Sequence, residues 1–181
     1  MAAIPQHVHS AALLQANRAV IQRVRDAVSA LAPNDLMRHP PGGGWSVGEV
    51  LEHLILAADS YLERLRPIVA AKHGHAVTTE TMWKPSLMGG LLVNSFRSPR
   101  KRRAPRIYRP GPSPRPRALD EFVARHEELA RLIAAAGDKE WRRIRLRSPV
   151  TPLVRMNLGD AFSVLVTHAE RHAAQVERLS R

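Results

Sequence analysis

The chain has 181 residues, which fits a single domain spanning residues 1–181. Hydrophobic residues make up 44% of the chain but aromatic residues only 4%, so Leu, Val, Ile and Ala must fill most of the core, and this favours helices over a β-sandwich. There is no cysteine, which excludes disulfides, thiolate nucleophiles and zinc fingers and leaves His, Asp and Glu as the side chains for any metal site.

The formal net charge of +12 is concentrated in one segment. Residues 97–117 carry nine Lys or Arg and no acidic residue, which leaves only +3 for the rest of the chain. The basicity therefore belongs to a loop and not to the fold, and nucleic acid is not an expected partner. The chain has no apolar run of 18 residues and no recognisable signal peptide, so we expect a cytoplasmic protein with no membrane partner.

The first two helices have clear sequence signals. Apolar residues recur at three- and four-residue steps over residues 9–31, and the Pro-Asn-Asp that starts at Pro33 is expected to end this helix. A second helix is expected to begin at Ser46, because Glu49 three positions later completes a capping box. It should end just before Pro67, since proline disfavours continuation.

The middle of the chain is less regular. A short helical piece is expected within residues 85–96, although Gly89 and Gly90 weaken it. Residues 98–116 contain six prolines, and the six missing N–H donors rule out a regular helix. We interpret residues 98–116 as an exposed, flexible basic loop.

Two further long helices are predicted. Residues 118–136 carry apolar residues on one side, and residues 141–155 form a connector in which two prolines block helix. Asn157 with Asp160 resembles another cap, and the last helix is expected over residues 158–179. Four long amphipathic segments predict an all-α fold, an antiparallel four-helix bundle with a long Pro/Arg-rich loop insertion.

Three of the nine histidines are candidate metal ligands. His168 and His172 are four residues apart on the last helix, so they lie one turn apart on one face and can share one metal ion. His53 lies close to the buried face of the second helix. Burying three unpaired imidazoles would be costly, whereas one divalent metal would satisfy them all and keep a coordination position open, as in a catalytic site. Imidazole suits several first-row ions, and Zn²⁺ or Ni²⁺ is the expected metal.

Three other side chains are candidates for supporting roles. His126 lies on the apolar line of the third long helix, where it could be a fourth ligand or a proton relay, although a position beside the ligands is the favoured interpretation. Gln175 could hydrogen-bond a ligand ring or a bound water. Glu49 could act as a base, but its capping role already explains it.

Two His-x-His pairs are further candidates for chelation. His7 with His9 and His73 with His75 are each separated by one residue, in segments expected to be loops. Exposed histidines without a ligand role are the favoured interpretation of both pairs, because such residues are common on protein surfaces.

Two segments resemble the DinB/YfiT-like superfamily. Residues 44–54, GWSVGEVLEHL, resemble the start of its second helix, and residues 167–175, THAERHAAQ, resemble its last-helix pattern His-x3-His-x2-Gln. The resemblance implies a four-helix bundle, often dimeric, in which His53, His168 and His172 hold a divalent metal ion. A homodimer is therefore an expected assembly.

The resemblance implies more than one activity. Some relatives resemble transferases or isomerases that use a low-molecular-weight thiol such as mycothiol or bacillithiol, and others resemble metal-dependent hydrolases. Our first hypothesis is a metal-dependent enzyme for a small-molecule substrate, an S-transferase whose thiol is a cosubstrate because the chain has no cysteine. A metal-dependent hydrolase is the alternative. A non-catalytic stress-response module that binds through the basic residues 100–103 is a further one.

Overall fold

A computed structural model describes residues 2–72, 77–98, 100, 103–111 and 117–181, and these are mostly helical. The described residues form five α-helices, which are α1 (Gln6–Ser29), α2 (Val47–Ala70), α3 (Leu87–Arg97), α4 (Ala118–Ala135) and α5 (Leu158–Leu179). They also form two short antiparallel sheets, β1 (Ile4–Pro5) with β2 (Met82–Trp83) and β3 (Arg145–Arg147) with β4 (Arg155–Asn157). No helix in the described ranges is both long enough and apolar enough to cross a membrane.

The predicted helices are confirmed, and both predicted caps are present. Ser46 Oγ accepts a hydrogen bond from the Glu49 amide while the Glu49 carboxylate accepts one from the Ser46 amide. Asn157 and Asp160 form the same reciprocal pair at the start of α5. Each pair satisfies two of the amides that a helix N-terminus leaves without a partner, so the two caps fix where α2 and α5 begin.

The predicted end of α2 is wrong, because the helix continues through Pro67 to Ala70. Proline removes one hydrogen bond of the helix, but Pro67 lies in the last turn, and its carbonyl still accepts a hydrogen bond from the Ala71 amide at 3.0 Å. The added turn buries Val69 in the core. The apolar burial therefore offsets the missing donor.

Neighbouring long helices run parallel in two cases. His9 bonds Ser163 and Arg23 bonds Glu177, and both pairs are 154 residues apart, so α1 and α5 run in the same direction. Helices α2 and α4 are joined by the ion pairs Asp59–Arg125 and Arg66–Glu128, in which the later residue of α2 pairs with the later residue of α4. These two helices therefore also run in the same direction. The predicted antiparallel arrangement is therefore wrong for these two pairs.

The long connection between α2 and α4 explains the parallel pairs. A short loop starts the next helix beside the end of the previous one, which gives an antiparallel pair. The connection over residues 71–117 is long enough to bring the chain back along the whole length of α2, about 36 Å, so that α4 starts beside the beginning of α2. The contacts between α2 and α5 are antiparallel. Val50, early in α2, shares an apolar cluster with Val176, late in α5, while Leu65 shares a second cluster with Leu158.

The connection between α2 and α4 is itself structured. Helix α3 forms where a short helix was expected, one residue beyond the predicted range at its end. Ser86 caps it, and Gly89 lies against the Asp160 carboxylate, where a side chain would not fit. A 3-10 turn spans Arg106–Tyr108, and Tyr108 is buried. The prediction of an exposed loop over residues 98–116 is therefore wrong at Tyr108. Burying its large aromatic ring stabilises the fold more than burying the polar groups around it destabilises the fold.

The segment predicted as an irregular connector contains a β-hairpin. Strands β3 and β4 pair with Leu146 opposite Met156, and both of these side chains are buried. The prolines at 149 and 152 fall in the turn between the strands, where no ladder donor is needed. Strands of three residues are too short to leave a period in the sequence, so the hairpin was missed.

Gly159 offers a test of how closely the first turn of α5 packs against Trp83. A Cβ at this position would collide with the indole ring of Trp83, whose Nε1 donates to the cap residue Asn157 at 2.9 Å. We expect Gly159→Ala to lower the free energy of unfolding by about 1–3 kcal/mol, the usual cost of overpacking. Denaturant unfolding measures this. Gly137→Ala is the matched control, since a Cβ there meets nothing within 4 Å, and equal effects of the two substitutions would contradict the proposed close packing.

Candidate metal centre

The contact between α2 and α5 brings three histidines together. His53 follows the capping box by one turn, and His168 and His172 are one turn apart on α5. The Nε2 atoms of His53 and His168 are 3.1 Å apart, and one ring nitrogen from each of the three residues lies within 4.8 Å of the others. On α5, His168 lies where the two apolar clusters of the core meet, between Leu165 of one cluster and Ala169 of the other.

Hydrogen bonds on the outer ring nitrogens orient two of the rings. His53 Nδ1 is 2.7 Å from the backbone oxygen of Tyr108, and because a carbonyl can only accept, His53 carries its proton on Nδ1. His172 Nδ1 donates to the amide oxygen of Gln175 at 2.9 Å. In the neutral rings Nε2 then carries the lone pair, so both residues present a ligand atom to the cluster.

The protein environment keeps the three rings neutral. Burial lowers the pKa of His53, and burial together with the neighbouring histidines lowers the pKa of His168 well below its ordinary value. Burial and the nearby His53 lower the pKa of His172 to about 4. Neutral imidazole is the form that binds metal ions, so the rings are ready to bind at neutral pH.

The spacing of the nitrogens fits a shared ion. Two nitrogens that bind one ion at about 2.0–2.1 Å, with a bond angle of about 90–109°, lie about 2.8–3.4 Å apart. The observed separation of 3.1 Å between the Nε2 atoms of His53 and His168 falls in this interval. Three neutral imidazoles are also a suitable donor set for Zn²⁺ or Ni²⁺.

Aromatic rings surround the cluster. The centroids of Trp45 and Phe96 are each 5.0 Å from a histidine ring, Trp45 from His53 and Phe96 from His168. His53 and His168 are buried, whereas His172 is only partly buried. Of the three rings, His172 therefore lies nearest to solvent.

The segment between Phe96 and Tyr108 is attached to both helices of the site. The Arg171 guanidinium on α5 donates to the backbone oxygens of Phe96, Ser98 and Arg100, at the C-terminal end of α3, where carbonyls lack partners within the helix. The Tyr108 hydroxyl bonds Ser60 Oγ on α2 at 2.7 Å. These bonds place Phe96 beside His168 and the Tyr108 carbonyl beside His53.

The remaining candidates have structural partners. Gln175 makes the predicted hydrogen bond to a histidine ring, and Glu49 closes the cap of α2. His126 is buried but is not in the three-histidine cluster. The His126 Nδ1 donates to Asn17 Oδ1 at 2.7 Å, and Asn17 Nδ2 donates to the backbone oxygen of His126 at 2.8 Å. His126 thus joins α4 to α1, and a role beside a ligand stays a prediction.

The two His-x-His pairs have different outcomes. His7 is exposed, as expected. His9 stacks on Trp83 with ring centroids 3.8 Å apart, and its Nε2 is 2.9 Å from Ser163 Oγ, so the expectation that it is exposed is wrong. The indole face provides an apolar surface for the ring. His73 and His75 lie outside the described residues.

Sequence reasoning missed Tyr108 and Arg171 as residues of the site. Tyr108 contacts His53 through its backbone oxygen, which every residue has, so the side chain at this position does not reveal the contact. The only available signal is an aromatic residue within a polar, Pro-rich stretch.

A cavity of about 430 Å³ between α1 and α4 is lined by Asn17, Arg18 and Arg131 among others, and it contains none of the three histidines. The candidate chemistry lies at the cluster and not in this cavity.

One comparison with known proteins gives a match. A sequence model of the DinB superfamily matches residues 16–176, which is most of the chain and includes all three clustered histidines. Searches of curated proteins and of solved structures give no significant match.

His126 gives a prediction about pH and stability. Burial lowers its pKa from the ordinary 6.5 to about 4, so the unfolded chain binds a proton more readily, and folding stability is lost as the pH falls from 6.5 towards 4. For one such group the loss between pH 7 and 5 is about 2 kcal/mol. Between pH 7 and pH 5, the free energy of unfolding of the metal-free His126→Gln variant should therefore fall by about 2 kcal/mol less than that of the metal-free wild type. Denaturant unfolding at the two pH values measures both. The exposed His7→Gln is the control, and an unchanged pH dependence in His126→Gln would contradict the assignment.

Proposed function

The chain belongs to the DinB superfamily, and we propose that His53, His168 and His172 bind one divalent metal ion, Zn²⁺ or Ni²⁺, as the centre of a metal-dependent enzyme. We propose further that α1, α2, α4 and α5 form a four-helix bundle around this centre. The observation that carries the proposal is the convergence of three neutral imidazoles, with two Nε2 atoms 3.1 Å apart at the contact between α2 and α5.

The residues around the cluster have separable roles in the proposed enzyme. The Tyr108 carbonyl and the Gln175 amide fix which nitrogen of His53 and His172 carries the proton. The Trp45 and Phe96 rings exclude water and provide an apolar surface for a small-molecule substrate. Three protein ligands leave at least one position for a substrate or cosubstrate.

The bound ion would supply Lewis-acid chemistry, which favours the thiolate form of a thiol or lowers the pKa of water to about 7. We favour transfer to or from a low-molecular-weight thiol. The chain contains no cysteine, so the sulfur must come from a cosubstrate. A metal-dependent hydrolase would use the same centre, and activity assays separate the two reactions.

The alternative of a non-catalytic binding module depends on the basic residues 100–103. Residues 101 and 102 lie outside the described residues, whereas Arg100 is bonded through its backbone oxygen to Arg171 beside the cluster. That contact attaches the segment to the proposed centre, and it is consistent with a role for the segment in the enzyme.

Metal content tests the proposed centre. We expect untagged wild-type protein, after incubation with Zn²⁺ or Ni²⁺ and desalting, to hold close to one ion per chain, and His172→Ala to hold far less because one of three ligands is lost. Elemental analysis measures this. His7→Ala is the control, since this exposed histidine is outside the cluster. Wild-type protein that stays folded but retains no ion would refute the proposed centre.

Activity assays test the proposed chemistry. We expect His168→Ala to lower kcat/KM by at least about a hundredfold, since removing a ligand removes the Lewis acid. Transfer of a low-molecular-weight thiol to small electrophiles and hydrolysis of small esters are the two reactions to assay. His7→Ala, at an exposed histidine outside the cluster, should leave both rates unchanged. A reaction that the wild type and His168→Ala catalyse equally would not depend on the centre, and that result would contradict the proposal.

A further inference from the structure

The β3–β4 hairpin carries a second basic segment, separate from the one in residues 97–117. Residues 141–159 contain five arginines and no acidic residue. In the antiparallel register, Arg147 lies directly opposite Arg155, and Arg145 lies two residues away on the same face. Like charges placed directly opposite each other on a sheet repel, so this arrangement costs stability in the isolated protein.

All three arginines are on the outer face of the hairpin. Side chains alternate between the two faces of a strand, and the inner positions Leu146 and Met156 are buried in the core. Arg145, Arg147 and Arg155 are all exposed. No carboxylate of the described residues forms a salt bridge with any of them, and the one hydrogen bond from the Arg147 guanidinium goes to the Pro152 backbone oxygen, at 3.0 Å. The Arg145 charge also acts on the Asp160 carboxylate at the start of α5, so the charges of this face that lack a carboxylate partner among the described residues are those of Arg147 and Arg155.

The turn of the hairpin is apolar and exposed. Leu153 is 91% exposed and Val150 is 42% exposed, next to the strands that carry the arginines. Helix α3 packs against β4, and it exposes Leu87 (80%) and Leu91 (56%). A projecting leucine beside these exposed arginines suits a boundary that is apolar inside and negatively charged outside.

We propose that the β3–β4 hairpin binds the surface of an anionic lipid membrane. Leu153 and Val150 would enter the boundary between headgroups and acyl chains, and Arg145, Arg147 and Arg155 would contact lipid phosphates. The sequence expectation of no membrane partner rested on the absence of a spanning segment, and binding at the surface needs none. The proposal is independent of the metal centre.

The side chains favour lipid over nucleic acid. Binding of single-stranded nucleic acid normally uses exposed aromatic rings on which bases stack. The aromatic residues nearest to the hairpin are Trp83 and Trp141, and both are fully buried. The exposed non-polar groups of the turn are aliphatic, which suits insertion among acyl chains.

Sedimentation with vesicles tests the proposal on the full-length chain. We expect the protein to bind vesicles of phosphatidylcholine with roughly 30% phosphatidylserine, more weakly as salt rises, and to leave pure phosphatidylcholine vesicles largely unbound. The double variant Arg147→Gln/Arg155→Gln should bind roughly 30-fold more weakly. Leu153→Ser should bind roughly tenfold more weakly, because its apolar side chain no longer leaves water.

Matched variants identify the surface responsible. Arg18→Gln/Arg131→Gln removes two exposed charges on α1 and α4, Val8→Ser removes an exposed apolar side chain on α1, and neither should change binding. The hairpin variant should fold normally, since it relieves a like-charge pair, and circular dichroism verifies this.

Four outcomes would overturn the proposal. Wild-type protein could fail to bind the anionic vesicles, or the folded hairpin variant could bind as tightly as wild type. Binding could be lost in Arg106→Gln/Arg109→Gln, outside the hairpin, while the hairpin variant keeps it. Finally, the hairpin arginines could be needed for binding single-stranded RNA but not vesicles.

Discussion

The packing of three imidazoles, two of them buried and one partly buried, where α2 contacts α5 constrains the rest of the molecule. A buried imidazolium would be costly, so each ring must stay neutral, and each neutral ring must find a partner for its N–H group. Tyr108 and Gln175 provide these partners for His53 and His172. The backbone of the connection between α2 and α4 must therefore approach α2 closely, although its composition predicts a solvent-exposed loop.

Helix α5 shows how much one element can contribute to this site. Its first turn is fixed by the cap of Asn157 and Asp160 and by Gly159 against Trp83, which together set its position along the core. Two histidines then follow on one face, and Arg171 between them holds the end of α3. A shift of α5 along its axis would therefore displace the two clustered histidines of α5 and the Phe96 ring beside them together.

The helices and the candidate cluster of three histidines could be predicted from the sequence because their signals are mostly local. Capping boxes and the spacing of His168 and His172 depend on residues a few positions apart. The helix through Pro67, the burial of Tyr108 and the parallel pairs depend on contacts between residues far apart in the chain. The hairpin was missed for a different reason, since strands of three residues are too short to show a period.

The parallel pairing of α1 and α5 has a consequence for folding. Contacting residues of these helices are 154 positions apart, so α1 must wait for the last helix before its apolar face is covered. Closing so long a loop is entropically expensive, and topologies rich in such contacts fold slowly. During synthesis on the ribosome, both the apolar stripe of α1 and the His53 ring precede their partners. Until α5 is made, the nascent chain keeps part of that stripe uncovered and holds only one of the three clustered histidines.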